Sequence, residues 1–258
     1  MKAIWKGAIG FGLVNIPIRI FSASQESSPD LDMLDKKDFS RIRFKRVNEN
    51  TGKEVSWGSI VKGYDYDGKY IVLGDDDFER ASPEKTRTIE IKEFVKEDEI
   101  ESIYFETPYF LEPEKSGVKA YALLREALGN THKVGLGSFV LRNKESLCII
   151  KPLDNILILN KIRFAQEIRK VNDLNIPKHE ALSKAELKMA VNLINQSSAK
   201  FNITKYRDSY SDELMKLIKA KASGKKFRAP TMRVVHNKTK DLMSQLKASL
   251  SAKKRKAS

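Results

Sequence analysis

Residues that could carry catalysis are few in this 258-residue sequence. Three adjacent carboxylates, Asp75, Asp76 and Asp77, could hold a Mg²⁺ ion for a nuclease, because hard cations take oxygen ligands. The same run suits a solvated turn that supplies negative charge to the start of a helix. Adjacent residues rarely converge on one ion, so the sequence favours the helix start.

Nucleophilic, histidine-based and nucleotide sites have weaker support. Cys148 lies in the apolar run SLCII, which favours a small buried side chain over a nucleophile. The three histidines, His132, His179 and His236, have neither a paired carboxylate nor metal-ligand spacing. No segment matches the phosphate-binding pattern G-x-x-x-x-G-K-[ST]. We therefore expect no enzyme activity, no catalytic residue, no metal and no cofactor.

The run RIRFKR is the strongest candidate for binding. It contains four basic residues and no acid, namely Arg41, Arg43, Lys45 and Arg46. A β-strand would place the first three on one face and Ile42 and Phe44 on the other, toward a core. The basic face could simply be solvated and guard a sheet edge, or it could contact phosphates. Nothing in the run suits base reading, so phosphate contacts would be independent of sequence.

Positive charge is concentrated near the C-terminus. The net charge is +14, and residues 219–258 hold 13 Lys or Arg against one acid, Asp241. The body, residues 1–218, is nearly balanced, with 35 basic and 33 acidic residues. A cationic tail is either a disordered solubilising end or a contact for a polyanion, and its density of charge favours the polyanion.

Short strand patterns fill the first two-thirds of the chain. Glycines at 7, 10 and 12 suit bends or bulges in a curved sheet, and Asp67-Gly68 predicts a hairpin turn. One helix, SGVKAYALLREALGN, interrupts the strands. Helices follow in the last third, where Ser183 and Glu186 form a capping box. The pattern predicts a barrel or sandwich with a helical C-terminal arm.

Membrane insertion and secretion are both disfavoured. The apolar stretch at 8–18 is too short to span a bilayer. It resembles a signal peptide, but Pro17 and Arg19 interrupt it and the alternation continues beyond them. A single cysteine excludes an internal disulfide, which fits a reducing cytoplasm.

Ordered motifs resemble the bacterial Ku family. The opening AIWKGAIGFGLVNIPIRIFSA is similar to the start of its members, and the similarity continues through RIRFKRV, TIEIKEFV, IYFETPYFLEP, KAYALLREAL and VLRNKESLCIIKP. It extends to KYRDSYSDELMKLIKAK and covers nearly all of residues 1–226. Many relatives carry a Cys-x-x-Cys pair after the KRV segment, whereas this chain has NENTG at 48–52. A role that depends on those cysteines is therefore absent.

The resemblance implies a mixed, mainly β fold: a Ku-core β-barrel with a helical C-terminal arm, paired as a ring-shaped homodimer. The core would span 1–224, with the arm from about 180, and 225–258 would be a basic tail. The resemblance further implies binding of double-stranded DNA ends in non-homologous end joining, in the cytoplasm at the nucleoid. An ATP-dependent DNA ligase would be recruited as a partner.

Three groups of residues are candidate sites. For the DNA-facing surface of the ring we expect Arg41, Arg43, Lys45 and Arg46, with Lys36, Lys37, Lys161 and Arg163 as further candidates. For additional DNA contact outside the ring we expect the tail residues Lys253, Lys254, Arg255 and Lys256. For ligase docking we expect the helix that carries Leu214, Leu217 and Ile218, although this face would equally suit a core helix.

Two other functions remain open on the sequence. One is a general architectural DNA-binding protein whose basic tail dominates and which needs no DNA end. The other is a Mg²⁺-dependent nuclease that uses Asp75, Asp76 and Asp77.

Overall fold

The computed structural model describes residues 1–81, 87–141, 144–176, 183–224 and 245–246. The chain divides into two compact units. The first consists of Met1–Glu26 and Leu31–Lys170, and the second of Ser27–Asp30 and Val171–Ser258. No helix among the described residues has both the length and the apolar character needed to cross a membrane.

The first unit is built mainly from strands. In chain order its elements are β1 (Trp5–Phe11), β2 (Val14–Ser22), β3 (Lys62–Tyr66), β4 (Lys69–Leu73), α1 (Asp75–Ala81), β5 (Thr88–Lys96), β6 (Phe105–Pro113), α2 (Val118–Thr131), β7 (Lys133–Leu141), β8 (Lys144–Leu153) and β9 (Ile156–Ile162). Seven of the strands form a closed barrel in the order β1-β2-β6-β9-β8-β7-β5. The closing pair, β1 with β5, is parallel, and every other neighbouring pair is antiparallel. The predicted barrel of a mixed, mainly β chain is confirmed.

Alternate residues of the strands fill the barrel. In β2, Ile16, Ile18 and Ile20 are at most 1% exposed, whereas Arg19 between them is exposed. Removing each isoleucine from water stabilises the fold by about 1.5–3 kcal/mol. Cys148 in β8 is fully buried in the same cluster, and burial raises the pKa of its thiol. The expectation of a small buried hydrophobe is confirmed.

Helix α2 packs on the barrel through one face. Tyr121, Leu124 and Leu128 recur at helical spacing and are buried. The Tyr121 hydroxyl donates to the Leu111 carbonyl oxygen at 2.7 Å and accepts from the Leu157 N–H at 2.6 Å. It therefore bridges β6 and β9, and burial raises the pKa of this hydroxyl.

The glycines of the first hairpin serve close approach and turning. A Cβ at Gly7 would lie 2.2 Å from the Arg87 carbonyl oxygen, so no larger residue fits without displacement of the backbone. Gly12 lies at the turn between β1 and β2 with φ +56°. The register of β1 with β2 is unbroken from Trp5 to Phe11, so of the bends or bulges expected at these glycines, no bulge occurs at Gly7 or Gly10 in this pairing.

A long connection between β2 and β5 carries a separate small sheet. Within it, β3 and β4 pair only with each other, through a turn in which Asp67 and Gly68 both have positive φ. Such a turn matches the twist of the flanking strands, and the predicted hairpin is confirmed. We call residues 31–73 the insertion. None of its residues is buried.

The described part of the second unit is helical. Helix α3 (Lys184–Ser197) begins with the predicted capping box, in which Ser183 Oγ accepts from the Glu186 N–H at 3.2 Å. Helix α4 (Ser209–Ala222), which carries Leu214, Leu217 and Ile218, begins with Asp208 as its cap. Gly224 follows with φ +69°. The predicted tail, 225–258, lies outside the described residues apart from Gln245 and Leu246, which are helical.

Candidate nucleic-acid interface

The basic segment of the insertion is not a strand, because it has no assigned secondary structure between Arg41 and Val47. Arg41 and Val47 form isolated bridges with Leu34 and Glu54, and no ladder connects them. The two apolar side chains are exposed, Ile42 at 45% and Phe44 at 78%. The prediction of a strand with one buried face is therefore wrong. The alternation is real, but the part of the chain that the structure describes provides no second layer for the apolar face to pack against.

Exposed contacts hold three of the four basic side chains. Arg41 Nη2 lies 2.5 Å from Asp32 Oδ2, and Lys45 Nζ lies 2.7 Å from Glu54 Oε2. The Arg46 guanidinium lies 4.3 Å from the centroid of the Trp57 ring.

These contacts do not prevent the basic side chains from binding an anionic ligand. Arg43 forms no ion pair with any residue that the structure describes. Exposed ion pairs contribute only about 0–1 kcal/mol, so phosphates could replace the acids at Arg41 and Lys45. The sequence showed the basic residues but not which acids pair with them, because each acid meets its base across a bridge of the insertion.

Lys36 and Lys37 lie beside the basic segment. They occupy the turn closed by the Leu34–Arg41 bridge, where the Lys37 N–H donates to Asp35 Oδ1 at 2.8 Å. Both side chains are exposed. The structure therefore brings these two candidates together with Arg41.

Lys161 and Arg163 have a different environment. Both contact Glu106, at 2.7 Å and 3.2 Å respectively, and Glu106 is only 23% exposed. Arg163 also donates to the carbonyl oxygens of Ile103 and Phe105 at 3.2 Å and 2.9 Å. These contacts join β6 to the end of β9. The two side chains remain candidates for DNA contact, but they already stabilise the barrel.

The hairpin of β3 and β4 presents two faces that differ in charge. By strand parity and register, one face carries Lys62, Tyr64, Tyr66, Lys69, Ile71 and Leu73. The opposite face carries Gly63, Asp65, Tyr70 and Val72. The first face has two bases and no acid, and the second has one acid and no base. Sequence reasoning identified the hairpin but missed this basic aromatic face, which the Asp67-Gly68 turn and its register would have revealed.

The insertion also exposes many large apolar side chains. Fifteen are exposed between residues 31 and 73: Leu31, Met33, Leu34, Phe39, Ile42, Phe44, Val47, Trp57, Ile60, Val61, Tyr64, Tyr66, Tyr70, Ile71 and Val72. Apolar surface of this density is typical of a segment that packs against another molecule.

The NENTG segment closes a tight turn without cysteines. Asn48 Oδ1 accepts from the N–H groups of Asn50 and Thr51, both at 3.0 Å. The Asn48 N–H donates to the Lys53 carbonyl oxygen at 2.9 Å, and Gly52 has φ +66°. The side chain of Asn48 thus organises the turn by hydrogen bonds.

The remaining candidates lie on helix α4 and in the tail. Leu214, Leu217 and Ile218 are half-buried on one face of α4. The four basic tail residues, Lys253, Lys254, Arg255 and Lys256, lie outside the described residues.

The acidic run has a helical role. Asp75, Asp76 and Asp77 form the first turn of α1, and Asp77 Oδ2 accepts from the Gly74 N–H at 2.9 Å. Among the described residues, no three or more His, Cys, Asp or Glu side chains are grouped so that they could hold a metal ion.

Residues 10–189 match a family model described as Ku, the Ku70/Ku80 beta-barrel domain. The match covers more than half of the chain. The chain belongs to the Ku family. The resemblance recognised in the sequence is thereby confirmed.

Several Ku relatives are similar over most of their length. Two are the non-homologous end joining protein Ku of Pseudomonas aeruginosa, 41% identical over 226 residues, and that of Coxiella burnetii, 38% identical over 225 residues. The alignments cover 86% and 85% of this chain and 77% and 82% of those relatives. The Ku protein of Archaeoglobus fulgidus is 37% identical over 258 residues, which is 98% of this chain and all of that one.

A solved structure, the SPOC domain of human PHD-finger protein 3, is similar with a TM-score of 0.32 at 13% identity, over 63% of this chain and 97% of that one. That likeness to the Ku barrel is too weak to carry an argument.

Proposed function

We propose that this Ku-family chain binds double-stranded DNA ends, independently of sequence, as a ring-shaped homodimer in non-homologous end joining. Its relatives are named for that process. The observation that carries the proposal is the insertion, because basic and aromatic side chains are exposed along it, whereas the strands of the barrel close around a packed core.

Phosphate contact explains the chemistry of the basic groups. Arg41, Arg43, Lys45 and Arg46 form one concentration of positive charge in a body that is nearly balanced. Each base that neutralises a phosphate releases condensed counterions, which favours binding at any sequence. The Lys62 and Lys69 face of the hairpin adds two bases without an acid.

Pairing with a second copy explains the apolar side chains of the insertion. An isolated two-stranded sheet is only marginally stable in water, and neither face of β3 and β4 is buried within one chain. The insertion of a second copy could cover the apolar surface of the first, and the two insertions would close a ring. A closed ring selects DNA ends by topology, since a duplex can enter only at a free end.

A gel-shift comparison tests the proposal. Full-length protein is mixed with linear duplex, duplex blocked by hairpins at both ends, and closed circular duplex, and its mass is measured in solution. We expect a dimer that binds linear DNA and neither blocked form. Equal binding of circular DNA would instead indicate the architectural alternative. Cleavage that requires Mg²⁺ and is lost in Asp76→Asn would indicate the nuclease.

The tail and helix α4 extend the proposal. The cationic tail would add non-sequence-specific DNA affinity outside the ring, in the cytoplasm at the nucleoid, and an ATP-dependent DNA ligase would dock near Leu214, Leu217 and Ile218. Truncation after Gly224 should weaken binding to long duplexes while it leaves end selection intact. Undiminished affinity of the truncated protein for long duplexes would exclude a DNA-binding role for the tail.

The docking site on α4 has its own test. Ligase binding that is unchanged by Leu217→Asp would exclude the α4 site.

A further inference from the structure

The insertion carries exposed aromatic side chains that contact with duplex phosphates does not explain. Basic groups meet the phosphates of a duplex, whose base pairs are stacked inside the helix with only their edges open in the grooves. An aromatic ring stacks on the face of a base, and base faces are uncovered where nucleotides are unpaired. Exposed rings among basic residues are therefore typical of a surface for single-stranded nucleic acid.

Trp57 is the largest of these side chains. It begins a single turn of 3₁₀ helix, Trp57–Ser59, and is 74% exposed. The Arg46 guanidinium lies 4.3 Å from the centroid of its ring, and this contact leaves most of the residue open. A cation over the indole helps to hold the ring in place, and it puts a positive charge beside any base that stacks there.

The fold of the insertion brings Trp57 alongside the basic segment. The Val55 N–H donates to the Arg46 carbonyl oxygen at 2.8 Å, and Val47 forms a bridge with Glu54. The segment that leads to Trp57 therefore runs antiparallel to the end of the basic segment. The contact between Arg46 and Trp57 follows from this arrangement and not from their separation in the sequence.

Two positive charges at this place have no carboxylate partner. Lys45 pairs with Glu54, whereas Arg43 and Arg46 form no ion pair with any residue that the structure describes. Phe44, which lies between Arg43 and Lys45 in the sequence, is a second ring and is 78% exposed. Rings and guanidinium groups match the base faces and the phosphates of a single strand. We call Arg43, Phe44, Arg46 and Trp57 the stacking site.

A second copy of the chain is the other occupant that exposed rings could have. The proposed pairing of two insertions rests on the hairpin of β3 and β4, and the stacking site precedes that hairpin in the chain. An interface between two copies would also bury the two guanidinium groups that lack carboxylates, and an unpaired buried charge is costly. The charges therefore favour an anionic occupant.

We propose that the stacking site binds the unpaired nucleotides of a single-stranded overhang at a DNA end. Bases stack on Trp57 and Phe44, and Arg43 and Arg46 contact the phosphates of the same strand. Every base has a flat face, so the preference is for unpaired nucleotides and not for a sequence. The preference rests on the proposed binding of DNA ends and specifies the form of end that this chain binds best.

A comparison of three DNA ends tests the stacking site. Full-length protein is titrated with one duplex, closed by a hairpin at its far end, whose near end is varied. The near end is blunt, carries an overhang of about six nucleotides, or carries an abasic overhang of the same length, which keeps the phosphates and lacks the bases. We expect the normal overhang to bind about tenfold more tightly than the blunt end, and the abasic overhang to lose most of this gain.

Substitutions of exposed rings assign the preference to a residue. Trp57→Ala should remove most of the preference for the normal overhang over the blunt end, and Trp57→Phe, which keeps a ring, should retain most of it. Tyr70→Ala is the matched control, because Tyr70 is 73% exposed and lies on the face of the hairpin that carries no basic residue. The control should leave the preference unchanged.

Tryptophan fluorescence provides a second readout. The chain has two tryptophans, and the other one, Trp5, is partly buried and donates through Nε1 to the Val140 carbonyl oxygen at 3.2 Å. A base that stacks on Trp57 should quench its emission. We expect quenching by the normal overhang, none by the abasic overhang, and none in Trp57→Phe.

Four results would overturn the proposal. They are equal affinity for the blunt and the normal overhanging ends, equal affinity for the normal and abasic overhangs, an unchanged preference in Trp57→Ala, and conversion of Trp57→Ala to monomers, which would assign the ring to an interface between copies. Failure of the wild type to bind any of the three ends would instead reject the DNA-end function itself, so the two failures are distinguishable.

Discussion

The barrel and the insertion place similar residues in opposite environments. Ile18 of β2 and Ile71 of β4 both lie in strands, yet Ile18 is fully buried and Ile71 is 45% exposed. Barrel strands pair on both sides and enclose a core, whereas β3 and β4 pair only with each other. Strand pattern alone therefore does not determine burial; a second layer must be present.

Charged residues show the same contrast. In the barrel, Lys161 and Arg163 share the partly buried Glu106. In the insertion, Arg41 and Lys45 form pairs in which both members are mostly exposed. Positive charge is used for internal cohesion in the barrel, and in the insertion it stays available to a ligand.

The largest expected difference between the two regions is in core stability. Ile18→Ala should lower the free energy of unfolding by about 2–5 kcal/mol, because it leaves a cavity in a closed core. Ile71→Ala, the same substitution in the insertion, should change the free energy of unfolding of a single protomer by less than about 0.5 kcal/mol. Urea denaturation at a fixed protein concentration that is low enough to keep the protein monomeric measures both. Equal losses would refute the distinction between the regions.

Tyr121 provides a second comparison of the same kind. Tyr121→Phe removes the hydroxyl that bridges Leu111 and Leu157 and leaves the Leu157 N–H without that partner. We expect a loss of about 1–3 kcal/mol in the free energy of unfolding. Tyr64→Phe, at an exposed position of the insertion, serves as the control and should have no effect. A loss in the control that matches the loss in Tyr121→Phe would contradict the assignment.

DNA binding should depend on the insertion more than on the barrel, which is the reverse of what we expect for stability. Arg41→Ala with Arg43→Ala should weaken binding to duplex ends at least tenfold at every sequence and reduce the slope of log affinity against log salt by about 1.8 per protomer, or about 3.6 for the homodimer. Lys161→Ala with Arg163→Ala removes the same charge from the barrel and should chiefly reduce stability. DNA-binding titrations at salt concentrations from about 50 to about 200 mM distinguish the two double variants. An unchanged slope in the Arg41 and Arg43 variant would remove these residues from the DNA-binding surface.

The smallest expected effect is a dependence on pH in the helical unit. Hydrogen bonds from the side chain and backbone of Ser211, and then from Ser27, lower the pKa of the Asp208 carboxyl. Its contribution to stability is therefore present above the ordinary Asp pKa of about 4 and is lost as the pH falls through the lowered value.

Asp208→Ala should accordingly destabilise α4 at pH 7 and match the wild type at strongly acidic pH. Asp208→Asn keeps a capping side chain and removes the titration, so it is the control. Helix content measured by circular dichroism across pH 2–7 checks this, and a constant difference between Asp208→Ala and wild type would contradict it.

Local sequence signals predicted the elements well. The Asp67-Gly68 turn and the Ser183 capping box are both where the sequence placed them, because their chemistry is local. The family motifs predicted the barrel. Burial of Ile42 and Phe44 was predicted wrongly, since alternation does not reveal whether a second layer exists.

The candidate site was predictable only in part. The sequence located the basic residues, but not which acids face them: Asp32 and Glu54 approach Arg41 and Lys45 only through the folding of the insertion. Likewise, sharing of Glu106 by Lys161 and Arg163 depends on β6 pairing with β9. The Glu106 contacts are long-range, and the two pairs of the insertion, although only nine residues apart, form across isolated bridges that the strand alternation does not predict.

The parallel closure of the barrel has an evolutionary consequence. It joins Ala8–Gly10 to Thr88–Glu90, so β2 and β5 lie on either side of β1, and the whole connection that carries the insertion is a single loop between two strands of the closed barrel. The entropy of closing such a loop rises only with the logarithm of its length, and doubling the loop costs about 0.6 kcal/mol. Lineages could therefore lengthen, shorten or rebuild the insertion at little cost in stability while the barrel stays closed. The binding surface can then diverge without a matching change in the barrel.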